Sequence, residues 1–226
     1  MSMHLRAALF DLDGTLVDSL HDIAAAMNHA LAQHGLPVHP LPAYRHFVGE
    51  GVRVMVARAV PADREDAQAG VMASYKAFYA EHLLDRTRPY PGVLEVLSRL
   101  AGEGVKLAVL SNKPDAATRQ LVGALLPDVP FGAVYGERAE VPRKPDPTAA
   151  LGIAAELGVE PGDCAFVGDT AVDMTTARGA GMYGVGVTWG FRGVEELQAH
   201  GARALAHTAD ELLQALLGAP RAATRP

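Results

Sequence analysis

Short apolar runs alternate with stretches of helical periodicity along most of this chain. Ala7-Ala8-Leu9-Phe10, Val105 to Leu110, Ala133-Val134-Tyr135, Ala165-Phe166-Val167, Tyr183 to Val187 and Ala204-Leu205-Ala206 read as strands. Helical patterns lie between them, such as Val93 to Glu103 with Leu94, Leu97 and Leu100 in phase, and Pro147 to Leu157. Strands that alternate with helices form βαβ units, and these build a parallel sheet covered by helices on both faces. The expected fold class is α/β.

One stretch breaks the rhythm. From Asp18 to about Asp85 only helical patterns appear: Leu20 to His34, Val52 to Val60 and Ala62 to Leu84. Alternation resumes at Tyr90-Pro91-Gly92. The chain therefore reads as a Rossmann-like core of residues 1–17 and 86–226 with an inserted α-helical cap domain, residues 18–85. The tail Gly218 to Pro226 reads as frayed and inert.

In open parallel sheets, ligands bind beyond the carboxyl ends of the strands. Here those ends are polar in turn. The first strand delivers Asp11 and Asp13, the second Ser111-Asn112-Lys113, and the fourth Gly168-Asp169-Thr170 with Asp173 beyond. Lys144 sits in the loop Arg143-Lys144-Pro145-Asp146-Pro147 after the third. In extended geometry Asp11 and Asp13 face the same way. At about 4 Å and an effective dielectric near 20 they repel by roughly 4 kcal/mol, so a cation or a shared proton is needed.

Each motif also has a plain structural role open to it. Asp11 or Asp13 can cap a helix, Gly14 can turn, and Pro114 can open a helix after Ser111. Asp173 gains from a helix N-terminus without any chemistry. A cap needs only one acid, however, and four carboxylates about one pocket suit an oxygen-coordinated hard cation, Mg²⁺ first. The nine histidines are scattered and Cys164 is alone, so neither a zinc cluster nor an internal disulfide is expected. A net charge of −6 sets nucleic acid and acidic membrane surfaces aside as partners. No signal-peptide core or membrane-length apolar run appears, and the expected setting is the cytoplasm, as monomer or homodimer.

Taken in order, FDLDGTLVDS (Phe10 to Ser19), Ser111-Asn112-Lys113, Lys144 in RKPDP and VGDTAVDM (Val167 to Met174) resemble the four motifs of the haloacid dehalogenase-like phosphohydrolases. The resemblance spans essentially the whole chain, and the helical insert matches that family's cap. Within the family, Val48-Gly49-Glu50-Gly51-Val52-Arg53 and Val187-Thr188-Trp189-Gly190-Phe191 with Glu195-Glu196-Leu197 are similar to the phosphoglycolate phosphatase branch. True dehalogenases lack the second acid. Phosphonatases use a cap lysine, whereas the only insert lysine here, Lys76, lies outside any matching motif.

The resemblance implies a Mg²⁺-dependent phosphatase that hydrolyses a small phosphate monoester, 2-phosphoglycolate foremost, through an aspartyl-phosphate. Asp11 would be the nucleophile and Asp13 the general acid and base. The implied metal ligands are Asp11, the Asp13 backbone carbonyl and Asp169, with Asp173 acting through water or Lys144. Ser111, the Asn112 backbone and Lys144 would hold the phosphoryl group. Gly49, Glu50 and Gly51 of the cap, with Arg45, Arg53 and Arg58 as candidate partners of a substrate carboxylate, would set specificity. Sugar phosphates, pyrophosphate and a β-phosphoglucomutase-like transfer remain as alternatives, and a non-catalytic binding module as the remotest.

Overall fold

A computed structural model describes residues 5–218. Six strands form one parallel sheet: β1 (Ala7–Phe10), β4 (Lys106–Pro114), β5 (Phe131–Glu137), β6 (Cys164–Gly168), β7 (Tyr183–Val187) and β8 (Ala204–Ala206). Their spatial order is β5-β4-β1-β6-β7-β8, with β1 between β4 and β6. Because successive side chains leave a strand on opposite faces, β1 serves two cores. Ala8 and Phe10 join one and Ala7 and Leu9 the other. The first core also holds Leu97 of α5 (Val93–Gly102), Leu121 of α6 (Asp115–Leu125) and Leu212 of α10 (Ala209–Leu217). The second holds Ile153 of α7 (Thr148–Glu156) and Ala177 of α8 (Ala171–Ala180). Each fully buried Leu or Phe contributes about 1.5–3 kcal/mol, so both faces drive the sheet together. A short helix, α9 (Val194–Ala199), packs against α8 and β7.

The helical segment follows β1. It comprises α1 (Leu20–Gln33), α2 (Leu41–Phe47), α3 (Val52–Ala59) and α4 (Gln68–His82), with α1 packed along α4. Two details depart from the sequence reading. The Leu41–Phe47 helix, which lies outside the three helical stretches read from the sequence, carries Pro42 in its first turn, where proline is tolerated. The expected single helix from Ala62 to Leu84 is broken: Ala62–Ala67 is a 3₁₀ segment with Arg64 out of helical geometry, and α4 begins only at Gln68.

The chain enters this segment through β2 (Val17–Asp18) and leaves through β3 (Arg88–Pro89), which pair antiparallel. Asp22, buried at the start of α1, ties the two crossings. Its carboxylate accepts hydrogen bonds from the Thr87 backbone N–H (2.8 Å), the Thr87 hydroxyl (2.7 Å) and the Arg86 N–H (3.0 Å). A buried carboxylate is stable only with such donors around it.

Strand limits shift modestly. β4 runs past Leu110 to Pro114, so Ser111, Asn112 and Lys113 lie in the strand's last turns of pleat, with a register break before Pro114. Pro114 precedes α6 as its cap rather than opening it. The weak third strand is longer than Ala133–Tyr135. Among the described residues no helix is long and apolar enough to cross a membrane. The tail from Ala219 onward lies outside the described residues.

Candidate active site

Parallel neighbours end at the same edge of a sheet, so β1, β4 and β6 present their terminal residues together. Asp11 is the first residue beyond β1 and Asp169 the first beyond β6. Asp173 adds a third carboxylate from the first turn of α8. One oxygen from each of the three lies within 4.8 Å of the others, and all three residues are buried. The Lys144 ammonium, buried among them, stands 3.0 Å from Asp11 Oδ1 and 2.7 Å from Asp173 Oδ1.

Asp173 fills both roles open to it. Its Oδ2 accepts from the Thr170 N–H and hydroxyl, closing a capping box on α8, while Oδ1 takes Lys144. Asp169 is fixed by the Thr15 hydroxyl (3.0 Å) and the Phe191 N–H (2.7 Å). That second contact comes from the β7–α9 loop, whose role no spacing rule reveals. The loop is pinned in turn by the Trp189 indole N–H, which donates to the Thr15 carbonyl at 3.1 Å. Two glycines make the approach possible. A Cβ on Gly14, where φ is +83°, or on Gly190 would stand 2.3 Å from Asp169 Oδ2.

Electrostatics follow from burial. Withdrawal from water raises the Asp11 carboxyl to about 6; Lys144 offsets part of this and Asp173 adds to it. Asp169 is held well above the usual carboxylate range by burial, then by Asp173 and Asp11. Burial works against the charge on Lys144, but Asp11 and Asp173 outweigh it and its pKa is raised. Three carboxylates and one ammonium leave a formal charge of −2, which one divalent cation would neutralise. An all-oxygen donor set of this charge fits a hard divalent ion such as Mg²⁺, and Asp11, Asp169 and Asp173 are the side chains that would hold it.

The haloacid dehalogenase-like hydrolase family model matches residues 5–181. The chain belongs to this family. Among curated members, the phosphoglycolate phosphatase of Pseudomonas putida is 40% identical over 197 residues, covering 82% of this chain and 70% of that protein. Phosphoglycolate phosphatase 1 of Pseudomonas aeruginosa is 35% identical, with the same coverage of each. The crystal structure of an inferred phosphoglycolate phosphatase from Lactobacillus delbrueckii subsp. bulgaricus superposes with a TM-score of 0.90 at 35% identity. It covers 96% of this chain and 100% of its own.

In this hydrolase Asp13 is not one of the carboxylate trio, yet it lines the same cavity as Asp11 and its charge helps to raise the Asp11 carboxyl. The strand ends at Phe10, and Asp13 turns to Lys113, whose ammonium lies 2.9 and 3.0 Å from its two oxygens. The Ser19 hydroxyl donates to the same carboxylate. Repulsion between the two acids is thus met by a separate cation for each, Lys144 and Lys113. Ser111 and the two acids line a partly open cavity of about 40 Å³ between the sheet and the helical segment, which contributes Ile23, Gly49, Gly51 and Met55. Asn112 lines it too, and its side-chain amide donates to the Gly49 carbonyl (3.1 Å) and the Lys144 carbonyl (3.0 Å), stapling cap loop and lysine loop together.

Other expected specificity residues lie elsewhere. Glu50 offers only its carbonyl inward, to Arg143, while its carboxylate pairs with Arg58 near the surface. Arg53 is exposed. Arg45 reaches across to the Gly190 carbonyl (2.9 Å) and borders a second cavity of about 320 Å³ with Tyr90 and Trp189, outside the carboxylate trio. On a helix only the facing stripe points at the core, and the sequence alone did not say which arginine occupied it. Arg192, unremarked in the sequence, donates to the Arg45 and Val48 carbonyls and holds the cap loop to the core.

Proposed function

We propose that this hydrolase cleaves small phosphate monoesters, with 2-phosphoglycolate as its principal substrate, and that Mg²⁺ is its metal. The observation that carries the reading is the meeting, at the carboxyl edge of the sheet, of Asp11 with two further buried carboxylates and the Lys144 ammonium. The substrate name rests on the phosphoglycolate phosphatases to which most of the chain is similar.

Asp11 has an oxygen free to attack phosphorus, since Oδ1 is occupied by the Leu12 N–H and Lys144. Attack forms the Asp11–phosphorus bond and breaks the ester bond, and Asp13 gives a proton to the departing alkoxide. Asp13 then takes a proton from water as that water attacks the aspartyl-phosphate, releasing inorganic phosphate and restoring Asp11. Ser19 and Lys113 fix the position of Asp13, while Ser111 and Lys144 hold and neutralise the phosphoryl oxygens. A divalent cation, when bound, supplies charge neutralisation to the phosphoryl group and to the carboxylates. The roofed cavity admits a small diffusible ester and turns away phosphoproteins, in keeping with a cytoplasmic metabolic enzyme.

Phosphate release should be followed with Mg²⁺ and with EDTA, on 2-phosphoglycolate, sugar phosphates and pyrophosphate. The expected result is hydrolysis preferring 2-phosphoglycolate, abolished by EDTA and by Asp11→Asn. Equal rates on all esters would remove the substrate assignment, and activity that survives Asp11→Asn would remove the mechanism.

A further inference from the structure

Lys113 has more to offer than a partner for Asp13. Its ammonium is almost fully buried, and among the described residues it is the only cationic side chain lining the 40 Å³ cavity. Lys144 is committed between Asp11 and Asp173, and none of Arg45, Arg53 and Arg58 lines that cavity. Beside Lys113 stands a wall from α4. Tyr75, which lines the cavity, stacks on Tyr79 with ring centroids 5.3 Å apart, and the ammonium sits 4.7 Å from the Tyr79 centroid. The Tyr79 hydroxyl is buried and has no hydrogen-bond partner among the described residues. The remaining surface is apolar, from Ile23, Val52 and Met55.

An ester whose phosphoryl group meets Asp11 and Ser111 must place its tail against this wall, because both ends share one small cavity. A neutral tail gives the ammonium nothing beyond Asp13. A carboxylate there gains a charge-assisted contact in a site withdrawn from water. We propose that Lys113, walled by Tyr75 and Tyr79, is the subsite that selects phosphate monoesters with a carboxylate on a short tail. The inference rests on the phosphatase reading above and assigns its specificity to the core strand β4 and to α4, not to the cap arginines.

The test compares kcat/KM for 2-phosphoglycolate and for 2-hydroxyethyl phosphate, which has a neutral tail of the same length. Wild type is expected to prefer the carboxylate. Lys113→Gln keeps a donor for Asp13 and removes the charge. Both substrates lose rate, since Asp13 is less firmly held, but the preference ratio is expected to fall about 10- to 100-fold. Lys113→Arg is expected to restore part of it. Equal losses on the two substrates would overturn the proposal and leave Lys113 as a positioning residue for Asp13, with the phosphatase reading intact. A wild-type enzyme without preference would overturn both the substrate assignment and the subsite. Should Lys113→Gln not fold, the double variant Tyr75→Phe, Tyr79→Phe decides, because it keeps both rings. A ratio about 3- to 10-fold lower supports the subsite, and an unchanged ratio refutes it.

Discussion

Asp11→Asn should make the metal-free protein more stable while it destroys activity. Burial lifts the Asp11 carboxyl from 3.8 to about 6 in the folded chain. A carboxyl whose pKa is higher folded than unfolded binds its proton more tightly in the folded state. Its ionised form therefore weakens folding: the penalty is absent well below pH 4, grows between about pH 4 and 6, and is complete above. A shift of about two units corresponds to about 3 kcal/mol at pH 8 and about 1 kcal/mol at pH 4.5. Asparagine carries no charge and avoids the penalty, and Lys144 keeps Asp173 at 2.7 Å, so no buried ammonium is orphaned. In EDTA at pH 8 the variant should melt about 6–12 °C above wild type, with the gain shrinking to a few degrees at pH 4.5. Adding Mg²⁺ should close the gap by stabilising wild type more than the variant. Thermal melts at the two pH values, with and without metal, make the comparison. A variant no more stable than wild type at pH 8, or a gain equal at both pH values, would refute the electrostatic argument.

Other consequences are as direct. Asp22→Ala leaves the Arg86 and Thr87 donors without their acceptor, and urea unfolding should show a loss of about 3 kcal/mol; a loss under 1 kcal/mol would mean the clamp is idle. Gly190→Ala puts a methyl 2.3 Å from Asp169 Oδ2 and 2.4 Å from the Gly14 carbonyl. Titration of activity with Mg²⁺ should then show about 10- to 100-fold weaker metal dependence, with wild-type affinity refuting the close-approach argument. Cys164 is buried with its thiol pushed up to about 12, so an aromatic disulfide reagent at pH 8 should find no reactive thiol in native protein and one after urea; prompt labelling of native protein would contradict the packing.

The polar edge of the sheet was legible because it depends on strand ends, and most strand ends are marked by where apolar runs stop. Asp11 and Asp169 follow from that rule alone once the sheet is parallel, whereas Ser111 stands where the apolar run stops although its strand continues to Pro114. Asp173 could be placed but not assigned, since capping and ion pairing ask for the same residue at the same position, and the structure uses both of its oxygens. What stayed hidden needed three dimensions. Lys113 and Asp13 are one hundred residues apart, and only the adjacency of β4 and β1 brings them together. Gly190 matters through a backbone passing Asp169 at close range, which leaves no trace in hydrophobic periodicity. Arg45 and Arg53 share the composition of specificity residues, yet their direction is set by which helical stripe is buried. Lys113 was within view as the residue after Asn112, and its charge in a strand that buries its neighbours was the available sign.

The paired crossings β2 and β3 carry an implication for how such a chain can change. Val17 lies opposite Pro89 and Asp18 opposite Arg88, so the path leaves the sheet and returns to it within one strand spacing. Everything between behaves topologically as a cassette: its two ends are already neighbours, and a tight turn would rejoin the core if it were removed or exchanged. Both tethers also run side by side, so the covalent links between roof and core share a single axis. Selectivity encoded above that axis can be swapped wholesale, whereas a preference encoded by Lys113 would stay with the sheet.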